Sequence, residues 1–161
     1  PSLEARDILA VLRNENNAPN DLKKRSILIA GELLELAGKA DVGQGVLQAS
    51  KILESKKAYQ KFMAICIAQG GFSEPGLAKY QYEITAQNEG EVKSIDNRRL
   101  AKIAKLAGAP ESKLAGIDFL APLGTKVSKG QTLYVIHAES KGELEYALDY
   151  YHSQEAIIRI E

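Results

Sequence analysis

Two stretches decide how the second half of this chain folds. They are Ala86-Gln87-Asn88-Glu89-Gly90-Glu91-Val92-Lys93-Ser94-Ile95 and Leu123-Gly124-Thr125-Lys126-Val127-Ser128-Lys129-Gly130-Gln131-Thr132-Leu133. In both, glycine (90, 124 and 130) stands where the chain reverses, because a residue without Cβ takes positive φ at little steric cost. Val92, Val127 and Leu133 then fill a small core between two sheets. Working outward, Tyr80, Tyr82, Ile84 and Ala86 alternate with polar residues, the period of a strand. Ile117 to Ala121, Thr132 to Ala138 and Ala156 to Ile160 predict further strands. Asp96 caps a predicted helix through Leu100, Ile103, Ala104 and Ala107, closed by Gly108 and Pro110. Ser140-Lys141-Gly142-Glu143 has the spacing of a capping box and predicts a helix ending near Tyr151.

Residues 1–70 carry a different period. Leu3, Ile8, Leu9, Val11 and Leu12 form one helical stripe, with Ser2 as its candidate N-cap. The Asn-rich stretch Asn14 to Asn20, with Pro19, breaks it. Asp21 opens a longer helix through Ile27, Ile29, Leu33, Leu34 and Leu36, and Gly38 stops it. Helices over 44–54 and 57–69 follow, the last closed by Gly70-Gly71. The change of period falls at Ser73-Glu74-Pro75-Gly76. The expected class is α+β, with a helical segment over 1–72 and a compact α/β domain over 79–161.

Composition excludes some functions. Among 161 residues, 21 Lys and Arg balance 21 Asp and Glu, which argues against a nucleic-acid binder while leaving a local anion site open. The single cysteine, Cys66, cannot form an intrachain disulfide and fits a cytoplasmic setting. Inside Phe62-Met63-Ala64-Ile65-Cys66-Ile67 it reads as a buried small hydrophobe. No apolar stretch reaches membrane-spanning length, and the N-terminus lacks the regions of a signal peptide. The first residue is not Met, which reads as a cut or processed chain. His137 and His152 have no partners at metal-ligand spacing, and His137 reads as a packed, hydrogen-bonded residue. Tyr146, Tyr150 and Tyr151 read as core-edge residues. Lys23-Lys24-Arg25 and Asn97-Arg98-Arg99 read as solvated helix ends, a patch that could touch a phosphate in a longer enzyme.

The two opening stretches resemble the halves of a biotinyl/lipoyl-type barrel-sandwich, which implies a swinging-arm carrier or a free-standing interaction module. A carrier needs a lysine at the tip of an exposed hairpin. Lys141 is the candidate, yet Glu139-Ser140-Lys141 reads as a helix start, and a helical insertion from Asp96 to Leu114 separates the two halves. No covalent biotin or lipoate is therefore expected, and intact mass discriminates the two readings.

The insertion points elsewhere. Ser94-Ile95-Asp96-Asn97-Arg98-Arg99-Leu100, Leu106-Ala107-Gly108-Ala109-Pro110, Ala115-Gly116-Ile117 and Tyr134-Val135-Ile136-His137-Ala138-Glu139-Ser140 resemble, in order, the C-terminal domain of the thymidine, pyrimidine-nucleoside and AMP phosphorylases. Leu3 to Leu12 is similar to a helix following that family's glycine-containing loop, and Ala68-Gln69-Gly70-Gly71 to the stop before its C-terminal domain. Ile95-Asp96-Asn97-Arg98 and Leu106 to Pro110 lean towards the AMP phosphorylase branch. The resemblance implies a hammerhead-like α/β domain and a homodimeric pentosyltransferase. Its reaction takes inorganic phosphate and a nucleoside or nucleoside monophosphate to free base and sugar 1-phosphate. It also implies that the phosphate loop and the base-contacting Arg and Lys lie upstream, so no catalytic residue is assigned within these residues. One site residue carries over. In some members a Glu on this first helix helps hold a potassium-type cation, and Asp7 stands at that position, one methylene shorter.

Overall fold

The computed structural model describes residues 1–161 and contains six helices and six strands. The helices are α1 (Ser2–Arg13), α2 (Asn20–Leu36), α3 (Gly45–Glu54), α4 (Lys57–Ala68), α5 (Asn97–Leu106) and α6 (Lys141–His152). The strands are β1 (Tyr80–Thr85), β2 (Gly90–Ile95), β3 (Gly116–Phe119), β4 (Lys126–Val127), β5 (Thr132–Ala138) and β6 (Ile158–Ile160). The chain divides into two compact units, Glu4–Glu74 and Pro1–Leu3 with Pro75–Glu161.

In the helical unit, α2 and α3 meet through two glycines. A Cβ on Gly31 would lie 2.5 Å from the Val46 amide nitrogen, and one on Gly45 would collide with the Gly31 carbonyl oxygen. The backbones therefore touch where any side chain would hold them apart. The turn between them is secured by Glu35, whose Oε1 accepts the Gly45 amide at 2.7 Å. This carboxylate caps α3 from the preceding helix, since the N-cap residue Gln44 makes no side-chain cap bond. Gly38, with φ of 63°, follows the end of α2 as its spacing predicts. Arg13 closes the unit with a two-pronged bond to Glu74, at 2.6 and 2.8 Å. That guanidinium holds the Glu74 carboxyl below its usual range.

Bonds from the Gly43 and Gly45 amides likewise hold the Glu35 carboxyl below the ordinary glutamate range. A depressed carboxyl contributes stability above its unfolded pKa, and that contribution fades as pH falls through the folded value. The unfolding midpoint of the chain is therefore expected to fall on acidification below the ordinary glutamate range. Glu35→Gln should lower the midpoint at neutral pH and flatten that acid slope, as read by circular dichroism melts. An unchanged slope in Glu35→Gln would remove the capping role.

The β-rich unit holds two antiparallel sheets, ordered β1-β5-β3 and β4-β2-β6. Their shared core contains Ile84, Val92, Val127, Leu133 and Ile136, with Ile103 of α5 and Ala147 of α6. Gly124 and Gly130, both at φ 83°, turn the chain on either side of β4. Asp96 caps α5 by accepting the amides of Arg98 and Arg99. Ser140 and Glu143 form the predicted capping box of α6. Both motifs work because a short oxygen-bearing side chain satisfies helix N–H groups that have no intrahelical acceptor.

Three expectations need correction. Ser2 is the first residue of α1 and not its cap, its amide instead donating to the Lys113 carbonyl at 3.0 Å. Cys66 is half-buried, because α4 has no fully buried residue and carries Ile65 and Ile67 exposed. The sequence from Leu123 to Gln131 is turn-rich and predicts no strand of its own between those over 117–121 and 132–138, yet the two-residue strand β4 lies inside it. Its pairing with Gly90 and Glu91 of β2 creates it.

Candidate functional site

The structure places the sequence-derived candidates apart. Asp7 is exposed on α1. His137 is buried at 3% exposure in β5, opposite Gln81 of β1 and Gly116 of β3. His152 ends α6 and meets the Tyr151 ring at 5.2 Å. Lys141 begins α6, where its ammonium lies 3.4 Å from Glu145 one turn on. That is a helix terminus, and the hairpin tip of a swinging arm is a different geometry. Gly70-Gly71 ends α4, with the Gly71 amide bonded to the Cys66 carbonyl at 2.9 Å, so this glycine pair closes a helix.

No group of three or more His, Cys, Asp or Glu side chains gathers where it could hold a metal ion. A hard cation takes about six to eight oxygens.

Tyrosine burial is uneven. Tyr134 is 1% exposed, stacked on Phe119 at 6.3 Å and meeting Tyr151 edge-on at 6.5 Å. Its hydroxyl has no hydrogen-bond partner among the protein atoms. Burial pushes the Tyr134 phenol well above the ordinary tyrosine value, with Tyr151 adding to the shift. Tyr150 carries the Lys102 ammonium over its ring at 4.7 Å, and Tyr146 faces outward at 68% exposure. Of the predicted core-edge residues, Tyr150 and Tyr151 pack against the core and Tyr146 does not.

One groove, on the helical unit, is apolar. Ile8, Leu12, Ile27, Leu33, Leu34 and Ile52 line a groove of about 450 Å3 across α1, α2 and α3. Ser26 is the one polar residue in its lining. Elsewhere on α2, Leu28 and Ile29 are exposed, and Leu36 at its end is exposed to 85%. A patch of this kind marks an interaction surface. It can bury an apolar partner, and it offers nothing with which to move a proton or hold an anion.

Two further cavities lie in the β-rich unit. One, of about 500 Å3, is bordered by Tyr134, Tyr151, His152 and Ile157. The other, of about 540 Å3, is polar and includes Arg98, Arg99 and Arg159. Sequence reading singled out the Arg98-Arg99 pair and missed Arg159, which reaches the same place only because β6 pairs with β2.

Comparison with known proteins gives a consistent picture. Residues 91–157 match the family described as Pyrimidine nucleoside phosphorylase C-terminal domain. The chain is 55% identical over 161 residues to a Hahella chejuensis protein named "Putative thymidine phosphorylase", covering 100% of this chain and 32% of the relative. A Legionella pneumophila protein of the same name is 52% identical over 158 residues, covering 98% of this chain and 31% of the relative. A third, from Parvibaculum lavamentivorans, is 50% identical over 161 residues, covering 100% and 32%. The chain thus spans about a third of the length of the curated relatives it matches.

Proposed function

This chain belongs, as a C-terminal part, to the pyrimidine nucleoside phosphorylase family, and from that premise we propose that it serves a cytoplasmic, homodimeric pentosyltransferase. In the proposed reaction an oxygen of inorganic phosphate attacks the anomeric carbon. The glycosidic C–N bond breaks, the base leaves with the bonding pair and takes up a proton, and sugar 1-phosphate forms. The substrate is a pyrimidine nucleoside or a nucleoside monophosphate, with the AMP-cleaving branch favoured by Ile95-Asp96-Asn97-Arg98 and Leu106 to Pro110. The observation that carries this reading is the end-to-end match of this chain to about a third of proteins named "Putative thymidine phosphorylase".

The helical unit fits a role as part of the phosphorylase core. Its apolar groove is assigned to one occupant, the upstream polypeptide that makes up the rest of the relatives' length. Burying such a surface contributes roughly 25 cal/mol per Å2, which favours a continuous core over an exposed face. Asp7 is assigned to a potassium-type cation site completed by upstream backbone carbonyls. In the 161-residue chain a potassium titration should then shift the melting temperature no more than sodium does. A saturable, potassium-specific rise that Asp7→Ala abolishes would show the site already complete.

Base release by the longer protein tests the reaction itself. Thymidine, uridine and AMP are supplied with and without phosphate, and free base is separated by chromatography. Phosphate-dependent release, greatest with AMP, is expected. Release independent of phosphate would indicate hydrolysis and sink the proposal.

A further inference from the structure

The polar cavity at the end of β2 belongs to neither the apolar groove nor the proposed chemistry. We propose that it binds the phosphate group of a small phosphate monoester through Arg98, Arg99 and Arg159. Two of these arginines occupy the first turn of α5, and the third sits on β6 opposite Ser94 of β2. All three border one cavity of about 540 Å3, a size within the usual range for small-ligand sites. The planar guanidinium fork matches phosphate oxygens two at a time, which a lysine cannot do.

The balance of charge favours an anion. Asp96 Oδ1 already accepts the Arg98 and Arg99 amides at 3.1 and 3.0 Å, so it serves as the cap of α5. Its Oδ2 lies 3.4 Å from Arg99 Nε and offsets that guanidinium alone. The Glu155 carbonyl accepts a further bond from Arg99 at 3.4 Å. Arg98 and Arg159 form no ion pair with any carboxylate. Glu155 is the other acidic residue of the lining, so three arginines and two acids border the cavity.

Position adds a second argument. Cations in the first turn of a helix stand against its macrodipole, where acids are the stabilising choice. Arg98 and Arg99 occupy that turn with no acidic residue in it, and Asp96 preceding it as the only offset. The helix amides are satisfied by Asp96, so the attraction comes from the side chains. Arg98 and Arg159 are exposed, and their replacement leaves the core untouched.

The test is calorimetric titration of the 161-residue chain with ribose 5-phosphate, at ionic strength held constant with sodium chloride. Saturable binding near the millimolar range is expected, weakened at least about tenfold in R98Q/R159Q. K23Q/K24Q removes the same charge from α2 and should bind as the parent chain does. Circular dichroism confirms that each variant is folded. Absence of saturable binding, undiminished binding by R98Q/R159Q, or equal weakening in K23Q/K24Q would each overturn the proposal.

Discussion

Gly45→Ala is expected to lower the stability of the chain by about 3 kcal/mol, the upper range for forcing atoms into a packed contact. The added methyl would meet the backbone of Gly31, its oxygen and its carbonyl carbon (2.7 Å), and also Cγ of Glu35 (2.8 Å). Backbone cannot rotate aside as a side-chain tip can, so α2 and α3 must separate. Separation would also pull the Gly45 amide from Glu35, which it reaches at 2.7 Å. Gly31→Ala should act similarly, since its methyl would lie 2.7 Å from Val46 Cα. Gly142→Ala is the control, because nothing lies within 4 Å of the built methyl. There alanine should stabilise by roughly 0.5 to 1 kcal/mol through helix propensity. Denaturant melts give all three values, and a neutral Gly45→Ala would mean that the helices are not in backbone contact.

Ile136→Ala should cost about 3 to 4 kcal/mol, by lost transfer energy and by the cavity left behind. Ile136 is fully buried on β5, the central strand of its sheet, opposite Tyr82 of β1 and Ile117 of β3. With strands on both flanks, the surroundings have little room to collapse into the gap. Ile136→Val should cost only about 1 kcal/mol. Losses that do not follow this order in urea melts would place Ile136 at the edge of the core.

What could be read in the sequence was what is decided locally. Asp96 and Ser140 act on amides two or three residues away, so their caps are visible as spacing. The alternation from Tyr80 to Ala86 likewise marks β1 without knowledge of its partner. Features set by distant partners were not legible. Glu35 reaches Gly45 across a turn, β4 exists only through β2, and the Ser2 amide finds Lys113. Gly31 looks like an ordinary helical interior position until α3 is laid against it. The polar cavity is a mixed case. Arg98 and Arg99 stand together in sequence, whereas Arg159 joins them through strand pairing. The apolar stripes of the first helices were readable, and with them their partial exposure: Leu9 and Val11 are buried, whereas Ile8, Leu33 and Leu36 are exposed.

Within the proposed reaction, positioning the anionic phosphate and stabilising an electron-poor sugar supply most of the barrier reduction. In that proposal the groups for those tasks belong to the part of the relatives' length that this chain does not span. The most direct measurement is base release by the purified 161-residue chain, incubated with phosphate and thymidine, uridine or AMP. Free base at the level of buffer alone is the expected result. Phosphate-dependent release that persists through rigorous purification and scales with chain concentration would place catalytic groups among these residues and contradict the account.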